Sequence, residues 1–250
     1  MTAGALLQIS GLTRQFGGFA AVQDVDVSVW PATIHSVIGP NGAGKTTFFR
    51  LLTGILRPSR GTVTFDGHDI TGARPHVISR RGLAQSFQIT NVFPRLTALE
   101  SVQIAILARR RRSLDFASLH QRRVTAEASG LLKEVGLHQV ADAQAQTLSH
   151  GDQRILEVTL ALATSPRLLL LDEPTAGMSP FETERMVSLV TRLAKEHGLT
   201  VLLSEHDMDV VFGISDEITV LHRGRVVTHG PPEQVEADKD VIEVYLGGEE

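Results

Sequence analysis

Gly39-Pro40-Asn41-Gly42-Ala43-Gly44-Lys45-Thr46-Thr47 is the stretch from which the rest of the chain can be read. Up to Thr46 it fits G-x-x-x-x-G-K-[ST]. An apolar strand, Thr33 to Ile38, runs into it, and helical spacing from Lys45 to Leu52 follows. Glycines at these places let backbone N–H groups converge on phosphate oxygens at a helix N-terminus, whose dipole favours anions. In that geometry Lys45 reaches the β- and γ-phosphates of a nucleoside triphosphate, and the Thr46 hydroxyl ligates Mg2+. A chance glycine turn would not bring the lysine, the hydroxyl residue and the strand–loop–helix order with it.

Upstream, Val25, Val27 and Val29 alternate with Asp24, Asp26 and Ser28, the period of a half-buried strand. Downstream, Gly61 to Phe65 reads as a β return with Asp66-Gly67 as its turn. From Pro94 to Leu148 the character changes: Thr97 to Arg110 and Thr125 to Val135 carry helical spacing with no β-rich run between them. Then come a helix (Ser149 to Thr164), a strand (Arg167 to Leu171), a helix (Pro180 to His197) and two strands (Thr200 to Ser204, Glu217 to Leu221). Strands alternating with amphipathic helices predict a largely parallel sheet covered on both faces. The expected fold is α/β, one nucleotide-binding domain over 1–250. Within it, 1–93 and 149–230 make a P-loop core with a mixed, largely parallel sheet and an N-terminal antiparallel β region. Residues 94–148 make a helical insertion and 231–250 a helical tail.

Bulk properties exclude other classes. A net charge of −4 leaves no basic field for nucleic acid. Without cysteine there is neither a disulfide framework nor a thiolate metal site. The first residues lack the basic segment and apolar core of a signal peptide. Apolar runs such as Leu168 to Leu171 fall far short of the roughly 20 residues that span a bilayer. Any membrane role is therefore expected to come through a partner.

Two further segments carry chemistry. Leu168 to Leu171 followed by Asp172-Glu173 is a buried strand delivering carboxylates at its C-terminal edge, where α/β sheets bind ligands. Asp172 suits Mg2+, and Glu173 is placed to polarise the water that attacks a γ-phosphate. An acidic turn after a core strand is the bland alternative; the phosphate loop in the same chain tips the balance. In Thr147-Leu148-Ser149-His150-Gly151-Asp152-Gln153, Ser149 with Asp152 forms a capping box, while Ser149, Gly151 and free N–H groups make an anion receptor. Spacing leaves both open.

On these motifs the chain resembles the ATP-binding cassette (ABC) ATPases along nearly its whole length, which implies a RecA-like P-loop core. Leu148 to Asp152 is similar to the family signature L-S-G-G-Q. Gln88, in Ser86-Phe87-Gln88, falls at the Q-loop glutamine, and His206, in Glu205-His206-Asp207, matches the switch histidine. Phe16 sits where the family places an aromatic ring against adenine. The resemblance implies two cassettes paired head to tail around two ATP molecules, with Gly39 to Thr47 of one facing Ser149 and Gly151 of the other. It also implies that Gln88 joins Thr46 and Asp172 around Mg2+, and that His206 keeps the γ-phosphate and attacking water in register. His150, Asp152 and Ser179 depart from the family pattern. A carboxylate at Asp152 would repel a γ-phosphate unless turned away. Ser179 with Pro180 and Glu182 reads as a helix N-cap rather than a catalytic group.

Within the family, Asp172 to Pro180, Glu205 to Asp209 and Val244 to Gly247 resemble the ATPases of bacterial branched-chain amino acid importers. That resemblance implies a second ABC ATPase subunit (or a homodimer in isolation), two transmembrane permease subunits, a periplasmic or extracellular substrate-binding protein, and a place on the cytoplasmic face of the membrane. A closely related branch imports urea or short amides. An exporter of lipid or lipopolysaccharide, or a soluble repair or translation ATPase, are the remaining alternatives; the acidic chain gives the last no nucleic-acid footprint. The helical insertion is expected to dock the permease, with Ile89 to Leu96 at the contact. The basic run Arg109 to Arg112, with Arg122 and Arg123, reads either as a contact for anionic lipid or as a solvated helix face.

Overall fold

The computed structural model describes residues 4–86, 94–110 and 118–246. In chain order these form β1 (Leu7–Phe16), β2 (Phe19–Val29), β3 (Ile34–Ile38), α1 (Lys45–Leu52), β4 (Arg60–Phe65), β5 (His68–Asp69), α2 (Pro75–Arg80), β6 (Leu83–Gln85), α3 (Ala98–Arg109), α4 (Ser118–Glu134), α5 (His150–Leu162), β7 (Leu168–Asp172), α6 (Pro180–His197), β8 (Thr200–Ser204), α7 (Met208–Ile214), β9 (Glu217–His222), β10 (Arg225–Gly230), α8 (Pro232–Glu236) and α9 (Lys239–Leu246).

A six-stranded sheet runs β10-β9-β3-β8-β7-β6, parallel except for the β9–β10 hairpin. A four-stranded antiparallel sheet, β2-β1-β4-β5, stands beside it. Because side chains alternate along a strand, β7 feeds two apolar layers. Leu168 and Leu170 join Phe48, Phe49 and Leu52 of α1 and the inner residues of β1, β2 and β4. Leu169 and Leu171 join α5, α6 and the helices α3 and α4. The expected helical insertion thus packs its Val102, Ile106, Ala128 and Leu132 into the same cluster as the sheet.

Central strand β3 is buried at every residue, including His35 and Ser36. Such polar groups survive in a core only with partners. His35 Nε2 lies 2.8 Å from Thr219 Oγ1 on β9, and Ser36 Oγ lies 2.6 Å from Ser215 Oγ. Burial, and then the neighbouring His229 ring, push the His35 pKa down to about 3, so it stays neutral at physiological pH.

The structure adds elements that periodicity does not show. β6 is three residues long, too short to display a period. α2 starts with proline at its first position, after Arg74, and α7 is capped by Asp207, whose Oδ1 accepts from the N–H groups of Asp209 and Val210. α4 begins at Ser118, ahead of the expected Thr125, because its first turns carry few apolar residues to mark a face.

Candidate functional site

β3 ends on buried Ile38 and hands the chain to a loop set by glycine. Gly39, Gly42 and Gly44 have φ of 151°, 80° and 106°. A Cβ on Gly39 would lie 2.1 Å from the Leu221 carbonyl oxygen, and one on Gly44 2.4 Å from that of Ala21. The loop is thus pressed against β9 on one side and β2 on the other. Gly224, in the β9–β10 turn, donates to the Ala43 carbonyl at 2.9 Å, and Ala43 N–H donates to Pro40 O at 3.1 Å. Asn41 and Thr46 are exposed, while Pro40 and Thr47 are half-buried. Lys45 folds back across the loop, its Nζ donating to Gly39 O at 2.5 Å and Pro40 O at 3.3 Å. Burial lowers its pKa, opposed by the nearby carboxylates Glu173 and Asp172. A buried ammonium held only by carbonyls and facing two carboxylates is ready to exchange those bonds for phosphate oxygens.

The carboxylates come from β7, paired in register with β8 so that Asp172 stands opposite Ser204. Ser204 Oγ donates to Asp172 Oδ1 at 2.6 Å. Glu173 has a left-handed φ of 50°, a conformation that costs a non-glycine residue about 1–3 kcal/mol. Its N–H is held there by the Ser204 carbonyl at 3.0 Å and hydroxyl at 3.2 Å. The side chain points to solvent, where Oε1 lies 2.8 Å from His206 Nε2. That places a candidate base against an imidazole that can orient it, both accessible from the loop's edge of the sheet.

Glu205 stands in the sequence only as a neighbour of His206, and the structure gives it a task. It is 3% exposed. Its Oε1 accepts from Thr175 N–H at 2.8 Å and Thr175 Oγ1 at 2.7 Å, and its Oε2 from His206 N–H at 3.2 Å. One buried carboxylate therefore ties the turn carrying Glu173 to the turn carrying His206. A buried carboxylate demands donors, but nothing local says that Thr175 supplies them.

Phe16 closes β1 and is 44% exposed, with the Arg14 guanidinium 4.6 Å from its ring centroid. Arg14 is itself anchored by Arg57 O at 2.9 Å. Gln88 lies outside the described residues, as do Ile89 to Phe93 of the expected permease contact and Arg111 and Arg112 of the basic run.

Ser149 and Gly151 stand at the start of α5, where His150, Gly151 and Asp152 reach residues 176–185. Ser149 Oγ accepts from Asp152 N–H at 3.1 Å, so the capping reading holds on the serine side. The Asp152 carboxylate turns away to Arg185 Nη2 at 3.1 Å on α6. The Gly151 N–H, expected as part of a free anion receptor, is not free in the single chain: it donates to Glu182 Oε1 at 3.0 Å. α6 supplies that carboxylate, and it completes the expected cap at Ser179. His150 Nε2 lies 3.2 Å from Ala176 O.

Two peripheral features bear on partners. Arg109 and Arg110 both pair with Glu127 on α4, and Arg109 also reaches Ser165, so these arginines fasten helices together; Arg122 and Arg123 are exposed. Between α2, β6, α3 and α5 lies an apolar groove of about 310 Å³, lined by Ile78, Leu83, Ile104, Ala105, Leu160 and Ala161.

A glycine loop at the end of a parallel strand, with carboxylates and a histidine at the same edge, defines a P-loop nucleoside triphosphatase. Within that class, residues 22–176 match the ABC transporter family, and the chain belongs to it as a nucleotide-binding, ATP-hydrolysing cassette. Residues 225–250 match a second model, described as branched-chain amino acid ATP-binding cassette transporter. The chain is 41% identical to BraF of Pseudomonas aeruginosa, a high-affinity branched-chain amino acid transport ATP-binding protein, over 97% of this chain and 98% of that one. It is 40% identical to LivG of Escherichia coli K12, described in the same words, with the same coverage. Among solved structures, a nucleotide-free ATP-binding cassette from an ABC transporter superposes with a TM-score of 0.86 at 28% identity, over 96% of this chain and 98% of the other.

Proposed function

We propose that the chain is the ATP-hydrolysing subunit of a membrane importer for branched-chain or other hydrophobic amino acids. The observation that carries the catalytic part is the 2.8 Å approach of Glu173 Oε1 to His206 Nε2, beside Lys45 and Asp172 at one sheet edge. Lys45 and the N–H groups of Gly39 to Thr47 bind the β- and γ-phosphates, Phe16 offers its open face to adenine, Glu173 accepts the proton of the attacking water, and His206 fixes Glu173 and the γ-phosphate. The likeness to BraF and LivG over the whole chain, with the matched tail, supports the substrate class.

The Thr46 hydroxyl and the Asp172 carboxylate are hard oxygen donors, and among the described residues no group of three or more His, Cys, Asp or Glu makes a protein cage for a metal. Such a sparse set suits Mg2+, which is held by one or two protein oxygens together with substrate phosphates. Gln88 is proposed as a further ligand. When bound, Mg2+ neutralises charge building on the phosphate oxygens.

Hydrolysis is proposed to require a second cassette, whose Ser149 and Gly151 counterparts close over the loop. No helix among the described residues is long and apolar enough to cross a membrane. Attachment to the cytoplasmic face is proposed to run through two permease subunits. The groove at Ile78, Leu83 and Ile104 suits an apolar helix of a permease, because it adjoins Gln85 at the start of the segment leading to Gln88. A substrate-binding protein outside the membrane completes the importer. Residues 94–148 are proposed as the lobe that carries permease motion to the site.

The test is Glu173→Gln in the purified transporter. ATP binding should persist while turnover falls by at least about 100-fold, the usual worth of a positioned general base. Normal turnover would remove Glu173 from the mechanism. Uptake of labelled leucine by cells depends on the intact chain in this reading, and unchanged uptake on its deletion would refute the substrate class.

A further inference from the structure

The signature and α6 share a carboxylate whose geometry the reaction as described does not use. Glu182 spreads its two oxygens over donors only. Oε1 takes the Gly151 N–H at 3.0 Å, and Oε2 takes Ser179 N–H at 3.0 Å and Ser179 Oγ at 2.8 Å. Gly151 does not adopt a left-handed φ, so its backbone does not call for glycine. What a side chain there would meet is Glu182: a Cβ would lie 2.5 Å from its Oε1, so Gly151 and the carboxylate are in close contact. The hydrogen bonds from Ser179, and then from Gly151, hold the Glu182 carboxyl below its ordinary pKa, so it stays an anion. An anion thus already rests on the N–H that the proposed ATP sandwich needs.

We propose that the Glu182 carboxylate is an internal stand-in for phosphate, seated on the Gly151 N–H until ATP bound on a second cassette displaces it. This rests on the reading that Ser149 and Gly151 meet that nucleotide. Two anions cannot share one N–H without strong repulsion, so phosphate can engage only as the carboxylate withdraws. Withdrawal also loosens Ser179, which the same carboxylate caps, and with it the segment 176–179 that continues from Glu173. His150 against Ala176 O and Asp152 against Arg185 brace the same joint. Arg185 keeps Asp152 pointed away from the donor, leaving Glu182 as the anion that must move. Closure at the signature of one cassette is thereby transmitted along the segment that leads back to its own Glu173.

Glu182→Gln removes the charge and leaves one acceptor oxygen: glutamine at the third helical position can keep the capping box at Ser179, which turns its NH2 toward the Gly151 N–H. In the full chain carrying Glu173→Gln, alone and with its co-expressed cassette partner, ATP-dependent assembly is followed by sedimentation velocity against Mg–ATP concentration. Adding Glu182→Gln should lower the ATP needed for half assembly about fivefold, because the Gly151 N–H no longer has to release a hydrogen bond. Thermal stability should not rise, and a cap that had only a structural role would give no gain in assembly. An equal or higher ATP requirement would overturn the proposal. Ser149→Ala in the same background separates it from the reading beneath it. A raised ATP requirement there, with no gain from Glu182→Gln, sinks the stand-in alone. Unchanged assembly with Ser149→Ala removes the signature reading and the proposal with it.

Discussion

The glycine loop at 39–47 and the signature at 149–152 both offer N–H groups at the start of a helix, yet they are built from different materials. The loop is clamped by main chain: Gly39 and Gly44 lie against the carbonyl oxygens of Leu221 and Ala21, and the Gly224 N–H supports Ala43. The signature is held by side chains of α6, chiefly Glu182 and Arg185. A site made of backbone admits few spellings, because a Cβ at Gly39 or Gly44 collides with main-chain atoms that cannot easily move. A site made of side chains tolerates change, because a new charge can be met by a new partner. Asp152 shows this: its carboxylate beside the helix start is met by Arg185.

That contrast can be broken by substitution. The largest expected effect is Gly39→Ala. A methyl group 2.1 Å from Leu221 O forces the loop off β9, and stability should fall by at least about 3 kcal/mol with loss of ATP binding, read by thermal unfolding and a fluorescent ATP analogue. Gly42→Ala, which has open space but a φ of 80°, should cost only about 1–2 kcal/mol. Equal effects at the two positions would show that the clamp does not matter.

Glu205→Gln comes next and probes the joint between the turns that carry Glu173 and His206. Both Glu205 oxygens accept, so a glutamine must turn its NH2 toward an N–H of Thr175 or His206. Turnover should drop about tenfold with little change in KM for ATP, as a displaced base and imidazole lose alignment. A rise in KM at unchanged turnover would mean that Glu205 serves binding instead.

The smallest effect belongs to the signature side. Asp152→Ala removes a partly exposed ion pair with Arg185 and should cost under about 1 kcal/mol while turnover survives. A loss above about 2 kcal/mol would erase the distinction between the two regions.

Much of this was legible in the chain. The alternation of Val25, Val27 and Val29 and the long periodic run Pro180 to His197 appear in the structure as read, since each carries several turns or repeats of its own pattern. β6 and α2 were not legible, being too short to show a period, and β10 lies at a sheet edge where burial is uneven. Lys45, Asp172 and Glu173 were readable because each motif is local: a strand end, a glycine turn, a residue type at fixed spacing; His206 came only through the resemblance to the ABC family.

The sequence by itself thus determined which groups are present and on which kind of element each would stand. Only the tertiary structure decided whom they touch. Thr175 meets Glu205 across 30 residues, Gly151 meets Glu182 across 31, and Asp152 meets Arg185 across 33. Those distances along the chain are closed by β7 lying in register with β8 and by α5 packing on α6. A polar side chain announces that it needs a partner. Which partner it finds depends on how whole elements bury their apolar faces, and that is settled by the packed core.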